Sequence, residues 1–469
     1  PGNSEMNGTT TTPDTASGFN GGSKEKVYAG PRGTAVKVLN RVARSDAYLD
    51  RVLDAELRSE DMNELDKGLM NEIVTGVIRW QMKLDWVLTG FFHGNFTKAE
   101  TNIKNALRVA IYQILFLDRI PHSAAVNEAV EFVKRLRGQK AADLVNAVLR
   151  NIIRNIENIR YPDPREDRLR HLAVVESHPY WITKRWVERY GYDDAKLMMA
   201  ANNRIPDLSL RTNRLKIDFK YFLSLLDQHK IQYSPSKYLD TFVRVQHLAG
   251  IGSSDMFRQG FFAVQDESAG LPVLLLDPKP GERILDLCAA PGGKTTFIGE
   301  LMKNEGEVTA VDRYETRLTM VKTACLRLGI ANVHVVAADA AEIDVPYSDR
   351  VLVDAPCSGL GVLAKKPDAK WNREPEDIVR LTATQNAILD NAARLVKPGG
   401  VLVYSTCTTE PEENALAVKS FLGRHPEFVV ENAGQYVNQE LVNAEGFVET
   451  YTHKNGMDGS FAARLRRTV

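Results

Sequence analysis

Cys357 and Cys407 are the residues of this chain best suited to covalent chemistry. The first sits in DAPCSGLG, residues 354–361, and the second in YSTCTTEPEEN, residues 404–414; each follows a stretch that reads as a buried strand. The chain has only four cysteines. Two of them in loops after strands point to thiol chemistry, in which a thiolate adds to an electron-poor centre and holds it covalently. A buried cysteine is more often an inert small hydrophobe. That reading suits Cys325, in TACLRLG, and the side chain of Cys288, but fits Cys357 and Cys407 poorly.

The third informative segment, Cys288-Ala289-Ala290-Pro291-Gly292-Gly293-Lys294, follows the apolar run ILDL and precedes a helix-like stretch. Small residues let backbone amides approach a ligand, and the following helix offers its positive end to a carboxylate. The loop is not GxGxxG, which argues against a dinucleotide. Its plainer alternative is a tight strand-to-helix turn that needs glycine only for geometry. Asp312 closes VTAVD, where an acid accepts hydrogen bonds from ribose hydroxyls, and Asp339 lies in AADAAE. Either acid alone is as well explained as a helix cap; their spacing from the loop favours binding.

These segments need a scaffold. Short apolar runs at 284–287, 308–311, 333–336, 351–353 and 401–404 alternate with helical stretches. That pattern predicts a largely parallel, doubly wound sheet, whose ligands sit at the carboxyl ends of the strands, where every motif above falls. From about 33 to 156 the apolar residues instead recur at helical spacing, as in Leu65, Leu69, Met70, Ile73, Val74, Val77 and Ile78, which predicts a helical bundle. Residues 32–157 hold 19 Lys plus Arg and 16 Asp plus Glu, a net of +3, with Lys134, Arg135, Arg137 and Lys140 close together. A solvated helix face explains that cluster more simply than a nucleic-acid contact does. Between the two regions, the proline-broken NIRYPDPRED reads as a linker, and WITKRWVERYG with LSLRTNRLK suggests a small α/β unit.

Composition narrows the classes. The 60 basic and 60 acidic residues cancel, so any nucleic-acid binding must come from local patches. Four widely spaced cysteines give neither a disulfide framework nor a CxxC metal pattern, which predicts a reducing, cytoplasmic setting and no metal. No apolar run is long enough to span a bilayer. The first 25 residues, rich in Thr, Gly, Ser and Asn, read as a disordered tail and not as a targeting signal.

The loop at 288–294, the Pro-Cys pair and the Thr-Cys pair together resemble the RNA cytosine-5 methyltransferases. RGTAVKVLNRV, IPHSAAVNEAVEFVK and LVNAVLRNI resemble the NusB type of RNA-binding helical domain. The pairing is that of the bacterial small-subunit ribosomal RNA members, the Fmu/Sun type. It implies a multidomain fold: a disordered tail (1–28), an all-α NusB-like bundle (29–160), a linker and small α/β module (161–250), and a Rossmann-like doubly wound α/β methyltransferase domain (251–469). The implied activity is S-adenosyl-L-methionine-dependent methylation of a cytosine in 16S ribosomal RNA by a monomer. The same motifs leave transfer RNA as an alternative substrate, and a non-catalytic RNA-binding assembly protein as an alternative class.

In the DNA enzymes the Pro-Cys cysteine attacks, which by analogy would make Cys357 the nucleophile. In the RNA family the Thr-Cys cysteine attacks, so the resemblance assigns Cys407 as nucleophile and Cys357 to release of the product. It also brings Asp354 to the target base and cofactor edge, Asp339 to the adenine, and Cys288 to Lys294 around the cofactor, with Lys294 adding positive charge. Downstream, LAKKPDAKWNR, with Lys365, Lys366, Lys370, Trp371 and Arg373, reads either as an RNA contact or as a solvated loop.

Overall fold

The computed structural model describes residues 26–44, 49–59, 62–246, 252 and 254–469. The expected disordered tail therefore lies, except for its last three residues, outside the described residues.

Among the described residues, seven helices form the first unit: α1 (Gly30–Val42), α2 (Leu49–Ser59), α3 (Glu64–Arg79), α4 (Gln81–Phe91), α5 (Thr101–Phe116), α6 (His122–Arg137) and α7 (Gln139–Arg154). The helical spacing in the sequence is the cause. In α7, Val145, Val148, Leu149 and Ile152 fall on one stripe and are all buried, and the stripes of the other helices meet it in a single apolar core. Three further helices, α8 (Arg168–Val175), α9 (Tyr180–Tyr190) and α10 (Tyr192–Asn202), follow the linker. Their apolar faces, centred on the buried Trp186, pack against Leu360 and Leu363 from the loop after Cys357.

A four-stranded antiparallel sheet comes next, made of β1 (Leu208–Thr212), β2 (Tyr233–Pro235), β3 (Phe242–Val245) and β4 (Phe262–Val264) in the order β2-β3-β1-β4, with α11 (Phe219–Gln228) packed on it. The strand β4 lies past residue 250 in the chain yet pairs with β1, through Leu210 opposite Val264.

The remaining chain winds α12 (Glu267–Leu276), β5 (Arg283–Leu287), α13 (Gly293–Leu301), β6 (Glu307–Asp312), α14 (Glu315–Leu328), β7 (Val333–Ala337), β8 (Ser348–Asp354), α15 (Pro375–Leu395), β9 (Val396–Thr406), α16 (Ala415–Arg424), β10 (Phe428–Glu431), β11 (Val448–Thr450) and β12 (Ser460–Arg467). All five apolar runs singled out in the sequence are strands, and they pair in parallel in the order β7-β6-β5-β8-β9. The sheet then continues in a direction the sequence pattern did not reveal: β12 runs antiparallel to β9, with β10 and β11 on it. From the central β5 the chain winds outward on one side through β6 and β7, then crosses back to lay β8 and β9 on the other side of β5. This is the topological switch point, and the crevice it opens at the carboxyl ends of the strands is the usual ligand position in such folds. Among the described residues no helix is long and apolar enough to cross a membrane.

Candidate active site

Strand pairing brings the two cysteines together. Asp354 ends β8 and stands opposite Ser405 near the end of β9, so the segments leaving these neighbouring strands, 355–357 and 407–409, emerge side by side. The Cys357 and Cys407 Sγ atoms are 3.2 Å apart, both as free thiols. The Cys407 backbone N–H donates to Cys357 Sγ at 3.3 Å, and the Gly361 N–H donates to the Cys407 carbonyl at 3.1 Å. Cys407 is the more exposed of the pair.

Their environments separate the two thiols. The hydrogen bond from the Cys357 thiol is the strongest influence on Cys407; with the charges of Lys294 and Lys366 it holds the Cys407 pKa below the ordinary thiol range, against burial and Asp354. The same hydrogen bond, together with burial and Glu413, pushes Cys357 well above that range. Cys407 is thus biased toward thiolate and Cys357 toward thiol, and the thiolate is the nucleophilic form.

Lys294 and Asp354 flank the pair. Lys294 Nζ donates to Asp354 Oδ2 at 2.7 Å, and Ser405 Oγ donates to Asp354 Oδ1 at 2.9 Å. Burial draws the Lys294 ammonium toward neutrality, but the charge and hydrogen bond of Asp354 outweigh it and leave the pKa raised. The site therefore keeps a fixed cation beside the reactive sulfur.

The loop 288–294 joins β5 to α13. Cys288 and Gly292 both take positive φ, 65° and 104°. At Gly292 a side chain would also be crowded, since a Cβ would stand 3.1 Å from Val321 Cα. Ala289 and Ala290 are buried, and the Ala289 N–H donates to the Val311 carbonyl at 2.7 Å. Burial raises the Cys288 thiol far from the reactive range, in keeping with an inert side chain there. Asp312, buried at the end of β6, accepts through Oδ1 from the Tyr314 N–H at 3.1 Å and from Arg317 at 3.4 Å, and its Oδ2 lies 3.1 Å from the same guanidinium as an ion pair. Arg317 also donates to the Ala290 carbonyl at 2.8 Å, so it ties acid and loop together. Asp339, after β7, accepts from the Ala341 N–H at 3.0 Å and faces the same end of the sheet.

Two further acids of the site give no signal of their own in the sequence. Asp286, inside β5, is fully buried; Thr295 donates to its Oδ2 at 2.6 Å, while Oδ1 has no partner. Burial lifts its pKa to about 7 against the Thr295 hydrogen bond. Glu413 is likewise fully buried and takes hydrogen bonds from Ser358 and Gln385. Both lay within or beside quoted motifs, where their charge alone suggested an exposed position.

The segment LAKKPDAKWNR is not a solvated loop, because most of its charged and aromatic side chains have partners inside the protein. Lys365 pairs with Asp266 and Asp458, and Arg373 donates to the Ser358 carbonyl at 3.0 Å. Lys370 is buried and donates to the Arg79 carbonyl at 2.9 Å, and the Trp371 indole N–H donates to the Ile78 carbonyl at 2.7 Å. Ile78 and Arg79 end α3, whose last carbonyls have no partner within the helix. Burial and the charge of Arg79 push the Lys370 pKa well below the ordinary lysine range, so Lys370 serves there as a hydrogen-bond donor. In return, Arg79 donates to the Ala364 carbonyl at 2.9 Å and the Leu49 N–H to Asp368 at 3.2 Å. The segment is a latch between the helical unit and the cysteine loop. Lys366 remains largely exposed. On the helical unit, Lys134, Arg135 and Lys140 face solvent, and Arg137 pairs with Glu100.

Comparison with known proteins matches the chain in three parts: 16S rRNA methyltransferase RsmB/F over residues 273–466, the NusB family over 30–154, and the ferredoxin-like domain of RsmF/B-like methyltransferases over 178–251. The probable ribosomal RNA small subunit methyltransferase B of Bacillus subtilis is 36% identical over 445 residues, covering 93% of this chain and 98% of the relative. The ribosomal RNA small subunit methyltransferase B of Pectobacterium carotovorum is 35% identical over 443 residues, covering 92% and 98%. Among solved structures, that of PH0851 superposes with a TM-score of 0.78 at 27% identity, over 93% of this chain and 99% of that one. A methyltransferase homologue from Pyrococcus horikoshii gives 0.57 at 27% identity, over 64% and 99%. The architecture is thus a NusB-like helical bundle, a ferredoxin-like module and a Rossmann-like methyltransferase domain with a mixed sheet.

Proposed function

The chain belongs to the 16S rRNA methyltransferase RsmB/F family, and we propose that it methylates carbon 5 of one cytosine of small-subunit ribosomal RNA through a covalent adduct on Cys407. The observation that carries this reading is the pair of sulfurs 3.2 Å apart, with Cys407 biased toward thiolate. Cytosine carbon 5 is a poor nucleophile while the ring is aromatic. Addition of the Cys407 thiolate to the adjacent carbon 6 converts carbon 5 into an enamine carbon able to take a methyl group. The product then leaves when the carbon 5 proton is removed and the thiolate expelled; Cys357, next to the sulfur that departs, acts in this step. Lys294, beside Cys407 and held by Asp354, opposes the negative charge spread through the ring.

S-adenosylmethionine would supply the methyl group as a cation equivalent. The chain fits it: the loop 288–294 takes a positive φ at Gly292, where a side chain would be crowded, Asp312 suits the ribose, Asp339 the adenine, and Asp354 would stand between cofactor and base. A base stacked in a duplex cannot reach Cys407, so the cytosine is unpaired or turned out of its stack. The NusB-like unit and the names of the curated relatives support ribosomal over transfer RNA.

Two measurements test the proposal. Cys407→Ala should lose methyl transfer while cofactor affinity, measured by calorimetry, stays unchanged; normal turnover by that variant refutes the assignment. Bisulfite sequencing of RNA from cells with and without the protein should show one small-subunit cytosine losing its methyl group. Loss at a transfer RNA position instead would move the substrate.

A further inference from the structure

We propose that Glu413 is a positioning residue that sets both the separation and the charge of the two active-site thiols, an inference that rests on Cys407 being the attacking group. Glu413 lies six residues after Cys407, in the turn between β9 and α16, with a fully buried carboxylate. Its hydrogen-bond partners are neutral donors: the Ser358 N–H at 2.8 Å, the Ser358 hydroxyl at 2.5 Å and the Gln385 amide at 3.0 Å. A buried acid held in this way is costly compared with an apolar residue of similar size. Packing therefore does not explain its presence; its connections do.

Those connections bracket both cysteines. Gln385, which donates to Glu413, also donates to the Pro356 carbonyl at 2.9 Å. The residues on either side of Cys357, Pro356 and Ser358, are thus held by one carboxylate–amide pair. On the other loop, Tyr404 OH donates to the Glu413 carbonyl at 2.6 Å. The adjacent Asn414 accepts from Thr406 Oγ1 at 2.5 Å and donates to the Thr408 carbonyl at 2.9 Å, and so spans Cys407 in the same manner. The two brackets meet where Ser358 Oγ and Thr408 Oγ1 lie 2.7 Å apart. Because Ser358 gives its proton to Glu413, its oxygen is left to accept from Thr408. The carboxylate thereby fixes the direction of the bond that joins the loops.

The consequence reaches the sulfurs. The hydrogen bond from Cys357 is what chiefly keeps Cys407 acidic, and that bond exists only while the two brackets hold the loops in register. Replacing Glu413 by Gln turns an acceptor oxygen into an amide that confronts the Ser358 donors. The loops then part, and Cys407 loses its donor.

The test uses the full-length protein. Iodoacetamide labelling of Cys407, read by peptide mass spectrometry across pH, should show its midpoint rising in Glu413→Gln. The kcat for methyl transfer should fall about 100-fold, the usual scale for a reacting group displaced by about 1 Å. Cofactor affinity should not change. A folded Glu413→Gln with a wild-type labelling midpoint overturns the proposal, whether kcat is kept or lost, because a purely structural role leaves the thiol's acidity alone. Should that variant fail to fold, Thr408→Val removes the link between the brackets, together with the longer bond that Thr408 Oγ1 accepts from the Glu410 N–H at 3.3 Å, and must raise the same midpoint, or the proposal fails. Cys407→Ala run in parallel separates the two readings. Turnover by Cys407→Ala sinks the assignment of the nucleophile, whereas the labelling midpoint judges Glu413 independently.

Discussion

Trp371→Ala discriminates sharply between a latch and an RNA contact. The indole is partly buried against the core of the helical unit and donates at 2.7 Å to the Ile78 carbonyl. Truncating a fully buried Trp costs about 3–5 kcal/mol. The partial exposure of Trp371 reduces that figure, and the lost hydrogen bond adds back about 1 kcal/mol, so a destabilisation of about 3 kcal/mol is expected. Because the chain has several units and need not unfold in one step, the measurement is urea unfolding followed separately in each unit by hydrogen exchange. The loss should fall on α3 and on residues 362–374. The rate of methyl transfer should drop through the slackened cysteine loop, while RNA affinity keeps its salt dependence, since no phosphate contact is removed. Unchanged stability, with weaker RNA binding and a flatter salt slope, would falsify the latch and make Trp371 a nucleic-acid contact.

Other substitutions test other links. In Asp286→Asn the pH response of stability should change: burial raises the native carboxyl from 3.8 to about 7, so the group's contribution is full below pH 3.8 and is lost as pH rises through about 7. The wild type should therefore lose up to about 4 kcal/mol from this site between about pH 4 and about pH 9, a loss that urea midpoints should show to be absent in the variant. An equal decline in both proteins would mean that the acid is ionised in the native state at no cost. Cys357→Ala should add the methyl group yet release RNA poorly, leaving a protein–RNA adduct on denaturing gels; wild-type turnover without adduct would make Cys357 structural. Deleting residues 1–157 should leave cofactor affinity intact but slow methyl transfer even on a short RNA, because Lys370 and Trp371 lose the carbonyls they bond. A truncated protein with full activity on that RNA contradicts this coupling.

The parts of the fold that rest on local pattern were legible in the sequence. Four of the five short apolar runs became largely buried parallel strands because a central strand has no polar face to show, while the fifth, β7, pairs in parallel at the sheet edge and is only partly buried; the apolar stripe of α7 became core because it faces the other helices of its bundle. Periodicity has a limit: Leu65 belongs to the apolar series of α3 but is 87% exposed, since a pattern marks a face and not whether something covers it. The antiparallel β12 was hidden by its composition. Arg464 and Arg466 make SFAARLRR look solvated, yet both pair with Glu431 on the neighbouring strand.

The same blindness to distant partners explains the site. Cys357, Cys407 and the loop 288–294 announce themselves by residue type and position after strands. Glu413 and Lys370 do not, because a charged residue reads as exposed until its partners, 55 residues from Ser358 in one case and 291 from Arg79 in the other, are known. Burying Lys370 is acceptable only because a helix end offers carbonyls that nothing else fills. The helical unit gains a cap, and the catalytic unit gains a fixed loop. Since that loop also carries Leu360 and Leu363 into the core around Trp186 and bonds through Gly361 to the Cys407 carbonyl, three units converge on the backbone that holds the two thiols. A disturbance of α3 and a disturbance of α9 should therefore be felt at the same pair of sulfurs, although neither helix contains a residue that reacts.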